Sequence, residues 1–217
     1  MIRDWALRAG AIGALACATA LGMPSPVLAQ ALPIFRAAAE GDRSAVSRAI
    51  DAGLAVDAHN DDGETLLFVA TENGRVDLAR WLIARGADVR AATAIGETPL
   101  HAAAVQGAAD IALLLLDRGA DPNALTRDHD APLFWAAAAG HVHTTRVLLG
   151  RGARIDHQDA RGLTALHGAA AGGHEDVVVL LIAHGARHDV RDKDGRTPLE
   201  LARERGELGT VGLLERR

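Results

Sequence analysis

Glycine recurs along this chain at a fixed interval of 33 residues, in two separate registers. Gly41, Gly74, Gly107, Gly140, Gly173 and Gly206 form one ladder; Gly53, Gly86, Gly119, Gly152 and Gly185 form the other. Thr65, Thr98, Thr164 and Thr197 hold a third register, in which Ala131 stands in for threonine. No insertion interrupts any of them. Self-similarity at this period marks a repeat architecture, in which each unit is one supersecondary element stacked on the next. Such a chain must bury its apolar faces between successive units.

The local chemistry of one unit follows from its residues. Thr98 is placed to cap a helix, its side-chain oxygen accepting from free backbone N–H groups. Pro99 falls at the first helical position, where a missing N–H costs nothing. Gly107 ends that helix in the left-handed conformation that glycine adopts cheaply. A second helix is predicted from about Ala109 to Arg118, with Ile111, Leu114 and Leu115 on one face, ended by Gly119. Helices of about nine or ten residues do not persist alone in water, so their stability has to come from their neighbours. Asp88 and Asp121, at matching positions after a Gly-Ala pair, read as turn formers.

The segment Gly96-Glu97-Thr98-Pro99-Leu100-His101-Ala102-Ala103 resembles the ankyrin repeat. So do Gly195-Arg196-Thr197-Pro198-Leu199 and the tail Leu114-Leu115-Leu116-Asp117-Arg118-Gly119-Ala120-Asp121. The resemblance covers everything after about Leu32. It implies an all-α solenoid of about six stacked helix-turn-helix units with β-hairpin or turn fingers. The domain would span 32–217, with units ending near 59, 92, 125, 158, 191 and 217, the first lacking its leading hairpin. Departures from the pattern are specific. Gly96 and Gly162 become His129 in the fourth unit, so that turn is expected to be strained or reshaped. Pro99 and Pro132 are matched by Leu66 and Ala165. Charged residues gather in the first unit (Arg36, Glu40, Asp42, Arg43, Arg48) and the last (Glu200, Arg203, Glu204, Arg205), as the exposed ends of a solenoid require.

The first 29 residues read differently. Met1 to Arg8 carries Arg3 and Arg8, a fifteen-residue apolar run follows from Ala9 to Met23, and Pro24-Ser25-Pro26 breaks it before small residues. That order is the order of a secretory signal. The run is short for a membrane span of about 20 residues. Cleavage is expected after Ala29, or alternatively after Ala31; an uncleaved anchor is the competing reading. The compact Ala-rich signal points to a bacterial protein exported to the periplasm or beyond. The single cysteine, Cys17, lies inside this segment, so a cleaved chain would hold no thiol for disulfides, metal or catalysis.

Net charge narrows the class of partner. The chain carries a formal −5. Arg3, Arg8 and Asp4 give the signal a net +1, leaving about −6 for the remainder, which lacks the basic footprint of nucleic-acid binding. Nor is a membrane partner expected after cleavage. Beyond the signal, aromatic residues are limited to Phe35, Phe68, Phe134, Trp81 and Trp135, which suits thin layers of Ala and Leu better than a large globular core.

Candidate chemistry is sparse. His101 and His167 end the Thr-Pro-Leu-His pattern, and the resemblance implies that these rings hydrogen-bond within and between repeats. Phe35, Phe68 and Phe134 share their register, which marks a packing slot. His141 and His174 follow the inter-helix glycine, where members of the family often carry histidine. His141 and His143 are two residues apart and do not share a helix face, so a chelate is weak. Only Ser44 and Ser47 are available as hydroxyl nucleophiles of that type beyond the signal, and no Gly-x-Ser-x-Gly, phosphate-binding Gly-rich or His-Glu-x-x-His motif occurs. No cofactor, metal or catalytic residue is expected.

What remains is binding of another protein by a monomer. The resemblance implies recognition by the finger tips and first helices, which form a concave face. At the tips these positions include Asp62, Glu64, Ile95, Glu97, Arg127, Asp128, Asp130, Arg161, Leu163, Lys193 and Arg196. On the first helices they include Glu72, Asn73, Val105, Gln106, Trp135 and Arg205. Acids dominate the second unit and Lys193, Arg196 and Arg205 the last. Trp135 is the candidate anchor, above Ala138 and Ala139, flanked in register by small Ala102 and Gly168, and rimmed by Asp130 and Arg161. The other arrangement open to it is to fold down into the gap left by Gly168. Two further readings stay open: an accessory role to an exported redox or stress enzyme, and a His-based metal-binding or enzymatic protein.

Overall fold

The computed structural model describes residues 26–216, with side chains from Pro33 onward. The signal reading therefore lies largely outside the described residues. Among them are twelve helices in six pairs: α1 (Pro26–Glu40) with α2 (Arg43–Asp51), α3 (Leu66–Glu72) with α4 (Val76–Ala84), α5 (Pro99–Gln106) with α6 (Ala109–Asp117), α7 (Pro132–Ala138) with α8 (Val142–Gly150), α9 (Ala165–Ala171) with α10 (Glu175–Ala183), and α11 (Pro198–Arg205) with α12 (Leu208–Glu215). The second helix of the third unit ends one residue before the expected limit.

The odd-numbered helices stack on one another to form one layer, and α4, α6, α8, α10 and α12 form the second. The core between them is one continuous cluster from Ile34 to Leu214, built mainly from Ala and Leu. Leu67, Leu100, Leu133 and Leu166 recur in it in register, each at most 1% exposed. Thr65, Thr164 and Thr197 cap their helices through Oγ1, accepting from the N–H of Phe68, His167 and Glu200. Ala131 caps α7 without a side-chain bond, a change that typically costs about 1 kcal/mol.

Pro33 lies inside α1, in the register of Pro99, Pro132 and Pro198. The helix of the first unit therefore starts seven residues upstream of where the repeat would start it, over the stretch where other units place a finger. That stretch also contains both expected cleavage points.

Gly107 caps α5 at φ 68, and a second constraint fixes it. A Cβ there would stand 2.5 Å from Nδ1 of His141 in the next unit, so the ladder glycine also makes room for the neighbouring ring. His141 Nε2 in turn donates to the Val105 carbonyl at 2.8 Å, and His174 repeats this on Ala138 at 3.0 Å. These rings staple one unit to the one before it.

The fingers are turns rather than β-hairpins. No strand is formed among the described residues, and the one isolated bridge pairs His59 with Thr65. Each finger is closed by its own backbone, with Asn60, Thr93, Thr126, Asp159 and Asp192 donating N–H to the carbonyl four residues on. Successive fingers are joined through Ala94 N to Asp62 O, Arg127 N to Ile95 O, Ala160 N to Asp128 O and Lys193 N to Arg161 O, all at 2.9 Å. One backbone hydrogen bond at each of these junctions stands where a sheet would have a ladder. His129 is the one non-glycine residue with positive φ among those described, at 61°. Its turn is not reshaped: His129 N still donates to Thr126 O at 3.0 Å, as Gly96 and Gly162 do in their own fingers at 2.9 Å. The strain is therefore held in the backbone, which costs about 1–2 kcal/mol for a residue with a Cβ. Asp88 and Asp121 form the turns expected of them, accepting from the N–H of Arg90 and Asn123 at 2.8 Å.

Candidate protein-binding face

Each finger tip is shaped by the side-chain oxygen of its opening residue. Asn60, Asp159 and Asp192 accept through Oδ1 from the N–H groups two and four residues on. Thr93 and Thr126 accept only from the fourth. An oxygen-bearing residue in all five fingers is visible in the sequence once the 33-residue register is laid out, although no signature motif includes it.

The two halves of the face differ in charge. Glu64 and Glu97 are half-buried and Glu72 reaches solvent. The surrounding protein nevertheless strips water from the Glu72 carboxyl, and the charges of Glu64 and Glu97 add to this, pushing it up to about 7. Three carboxyls thus interact across the second and third units. Glu64 is further held by Asn60 Nδ2 at 2.7 Å. Asn73 faces inward as a cap, its Nδ2 donating to the Val69 carbonyl at 2.8 Å. Ile95, 43% exposed, projects from the neighbouring finger, beside exposed Asp62. Val105 is half-buried and Gln106 exposed.

At the other end the arginines are occupied by acids of their own unit. Arg196 bonds Asp192 Oδ2 at 2.8 Å and Asp194 Oδ2 at 2.6 Å, and reaches Glu204 at 3.4 Å. Arg161 is held on Asp159 at 2.7 Å, and its guanidinium lies 5.7 Å from the centre of the Phe134 ring. The basic end expected from Lys193, Arg196 and Arg205 is largely neutralised at Arg196, while Lys193 and Arg205 remain exposed. Arg127 and Asp128 are exposed on the fourth finger.

Two residues expected on the face lie within it. Asp130 is 6% exposed and Leu163 7%, because their register turns inward between adjacent fingers. Trp135 is half-buried against the core, with its indole Nε1 covered and without a hydrogen-bond partner. Its ring meets Phe134 edge to face at 6.1 Å. The space at Gly168 is bordered by Ala138 and the Phe134 ring edge. Trp135 therefore neither stands free above the face nor fills that gap.

Histidines behave as packing elements. His101 and His167 accept the N–H of Thr98 and Thr164 at Nδ1, both at 3.1 Å. Through Nε2 they donate to the carbonyls of Asp130 and Arg196 in the next unit, at 3.2 and 3.1 Å. Among the described residues, no three His, Cys, Asp or Glu side chains gather so as to hold a metal, and no helix is long and apolar enough to cross a membrane.

A family model of ankyrin repeats (3 copies) matches residues 34–126 and again 130–216. The chain belongs to the ankyrin repeat family. Ankyrin repeats generally mediate binding to other proteins and are typically non-enzymatic. No curated protein matches this ankyrin chain.

Proposed function

We propose that this ankyrin protein is an exported scaffold that docks a partner protein on the face formed by its fingers and first helices, without catalysis of its own. The observation that carries the reading is the acidic stretch of Glu64, Glu72 and Glu97 with exposed Ile95 at its edge. An apolar contact ringed by charge is the usual anatomy of a docking centre. A photo-reactive residue placed at Gln106 on this face should crosslink a discrete protein in the native cell. The same residue at Leu113, on the second layer of helices, should not. Equal crosslinking from both positions would remove the assignment of the face.

Trp135 serves as the deeper part of that surface. Trp135→Ala is expected to weaken partner capture by about 2 kcal/mol, the loss typical of an aromatic hot spot. Its effect on the urea midpoint should be smaller than that of truncating a fully buried ring. Unchanged capture would take Trp135 out of the interface. Export rests on the charge and hydropathy order of the first 29 residues. Expressed in a bacterial host, the protein should have an intact mass that begins at Gln30 or Leu32. A membrane-held product that retains Met1 would overturn the export reading.

A further inference from the structure

Asp130 occupies a register that Glu64, Glu97, Leu163 and Arg196 fill in the other fingers. It is buried, and its Oδ1 has no hydrogen-bond partner. The nearest ion-pair contact to that oxygen is Nη2 of Arg161, at 3.8 Å. The same nitrogen lies 2.7 Å from Oδ2 of Asp159. Asp159, whose side chain is 1% exposed, is fully engaged. Its Oδ1 accepts from the N–H of Arg161 and Leu163, both at 2.8 Å, and its Oδ2 from Nε and Nη2 of Arg161, at 3.0 and 2.7 Å. Two carboxyls from adjacent fingers therefore flank one guanidinium, and only Asp159 is properly bonded to it. An ionised carboxylate buried without a partner is costly, and two such groups sharing a site do not both ionise cheaply. One finger further on, Asp192 is likewise bonded by an arginine of its own finger, Arg196, which lies four residues on rather than two. There the register of Asp130 holds Leu163, an uncharged side chain.

We propose that Asp130 is a proton-binding joint between the fourth and fifth fingers: in its acid form it donates its O–H to the Asp159 carboxylate, and its ionisation sets two carboxylates against one guanidinium and loosens the contact. The groups that face it are Asp159 and Arg161 from the fifth finger and Asp128 from its own. From α5, the neutral His101 ring donates to its backbone carbonyl. His157 donates to the adjacent His129 carbonyl at 2.8 Å, closing the strained turn beside it. Burial raises the Asp130 carboxyl most, Asp159 and Asp128 raise it further, and Arg161 opposes them, with the balance near 7. The unfolded chain releases this proton near 3.8. The joint thus contributes fully below about pH 4 and its contribution is lost as pH rises to about 7.

The test is a pH titration of side-chain carboxyl carbons by NMR on the intact chain, with Asp130→Asn used to assign the resonance. Asparagine keeps a donor toward Asp159 at every pH. The Asp130 carbon should titrate near neutrality. In parallel urea melts, the folding equilibrium constant of the unmodified chain relative to Asp130→Asn should fall by up to about tenfold per pH unit between pH 4 and 7. Titration of Asp130 in the ordinary carboxylate range would overturn the joint, whatever the variant does. A ratio that stays level across the same window would overturn it too.

Discussion

Phe68→Ala is expected to lower stability by about 3–5 kcal/mol, the range for emptying a fully buried aromatic site. Phe68 sits in α3 with 4% of its surface exposed. It holds the slot that histidine fills in the third and fifth units. Short stacked helices have no other source of stability at that position, so the cavity is felt by the units on both sides. Phe134, in the same register, should cost less on truncation. It is half-buried, and the guanidinium of a partly exposed arginine, Arg161, lies over its ring. Ordinary loss for an exposed side chain, within about 0.5 kcal/mol, is expected of His143→Ala. Urea melts of the three variants give the comparison. Equal losses for Phe68 and His143 would contradict the slot assignment.

The fold was legible because its determinants are local and periodic. Two glycine ladders, a threonine cap and a proline at the first helical position each dictate one backbone conformation, and they recur at fixed spacing. The His129 turn could be anticipated for the same reason: a position that needs positive φ is identified by the glycines that fill it elsewhere. Whether the fingers close as turns or as β-hairpins was less legible. A strand depends on how many edge groups two fingers can pair, and that is a property of finger spacing rather than of residue type.

The candidate face was legible only in outline. Register placed Asp130 and Leu163 at finger tips, but burial there depends on whether the next finger closes over them. Neither residue type reveals this. Arg196 read as part of a basic end because the sequence does not show that its side chain turns onto Asp192 and Asp194 of its own finger and Glu204 of the helix that follows. The Trp135 ring fell between the two arrangements open to it, since Phe134 and Ala138 already border the space at Gly168. Periodicity gives a residue's place in the unit; it does not give which neighbouring side chain arrives first.

Mild acid is expected to destabilise the stack through His101, in the direction opposite to the Asp130 joint. The ring is 2% exposed, accepts the Thr98 N–H at Nδ1 and donates from Nε2 to the Asp130 carbonyl. Both nitrogens are thereby committed in the neutral form, and a proton on Nδ1 would point at an N–H donor. Burial lowers its pKa to about 4, against the opposing pull of the Asp130 and Ala124 carbonyls. His167 is lowered for the same leading reason. Above about pH 6.5 neither folded nor unfolded chain holds the proton, and stability is full. As pH falls toward 4 the unfolded chain takes up a proton that the folded chain refuses, and stability is lost at up to about 1.4 kcal/mol per pH unit for this ring. Between pH 7 and 5 that amounts to about 2 kcal/mol. His101→Phe should erase this part of the dependence, and it should fold, because Phe35, Phe68 and Phe134 occupy the same slot. The two titrating groups touch through the Asp130 backbone, so their effects need not add. Urea melts at both pH values are therefore best compared in an Asp130→Asn background, where only the histidine slope remains between the two. A His101→Phe chain that loses as much stability as its parent between pH 7 and 5 would show that the ring is protonated without consequence.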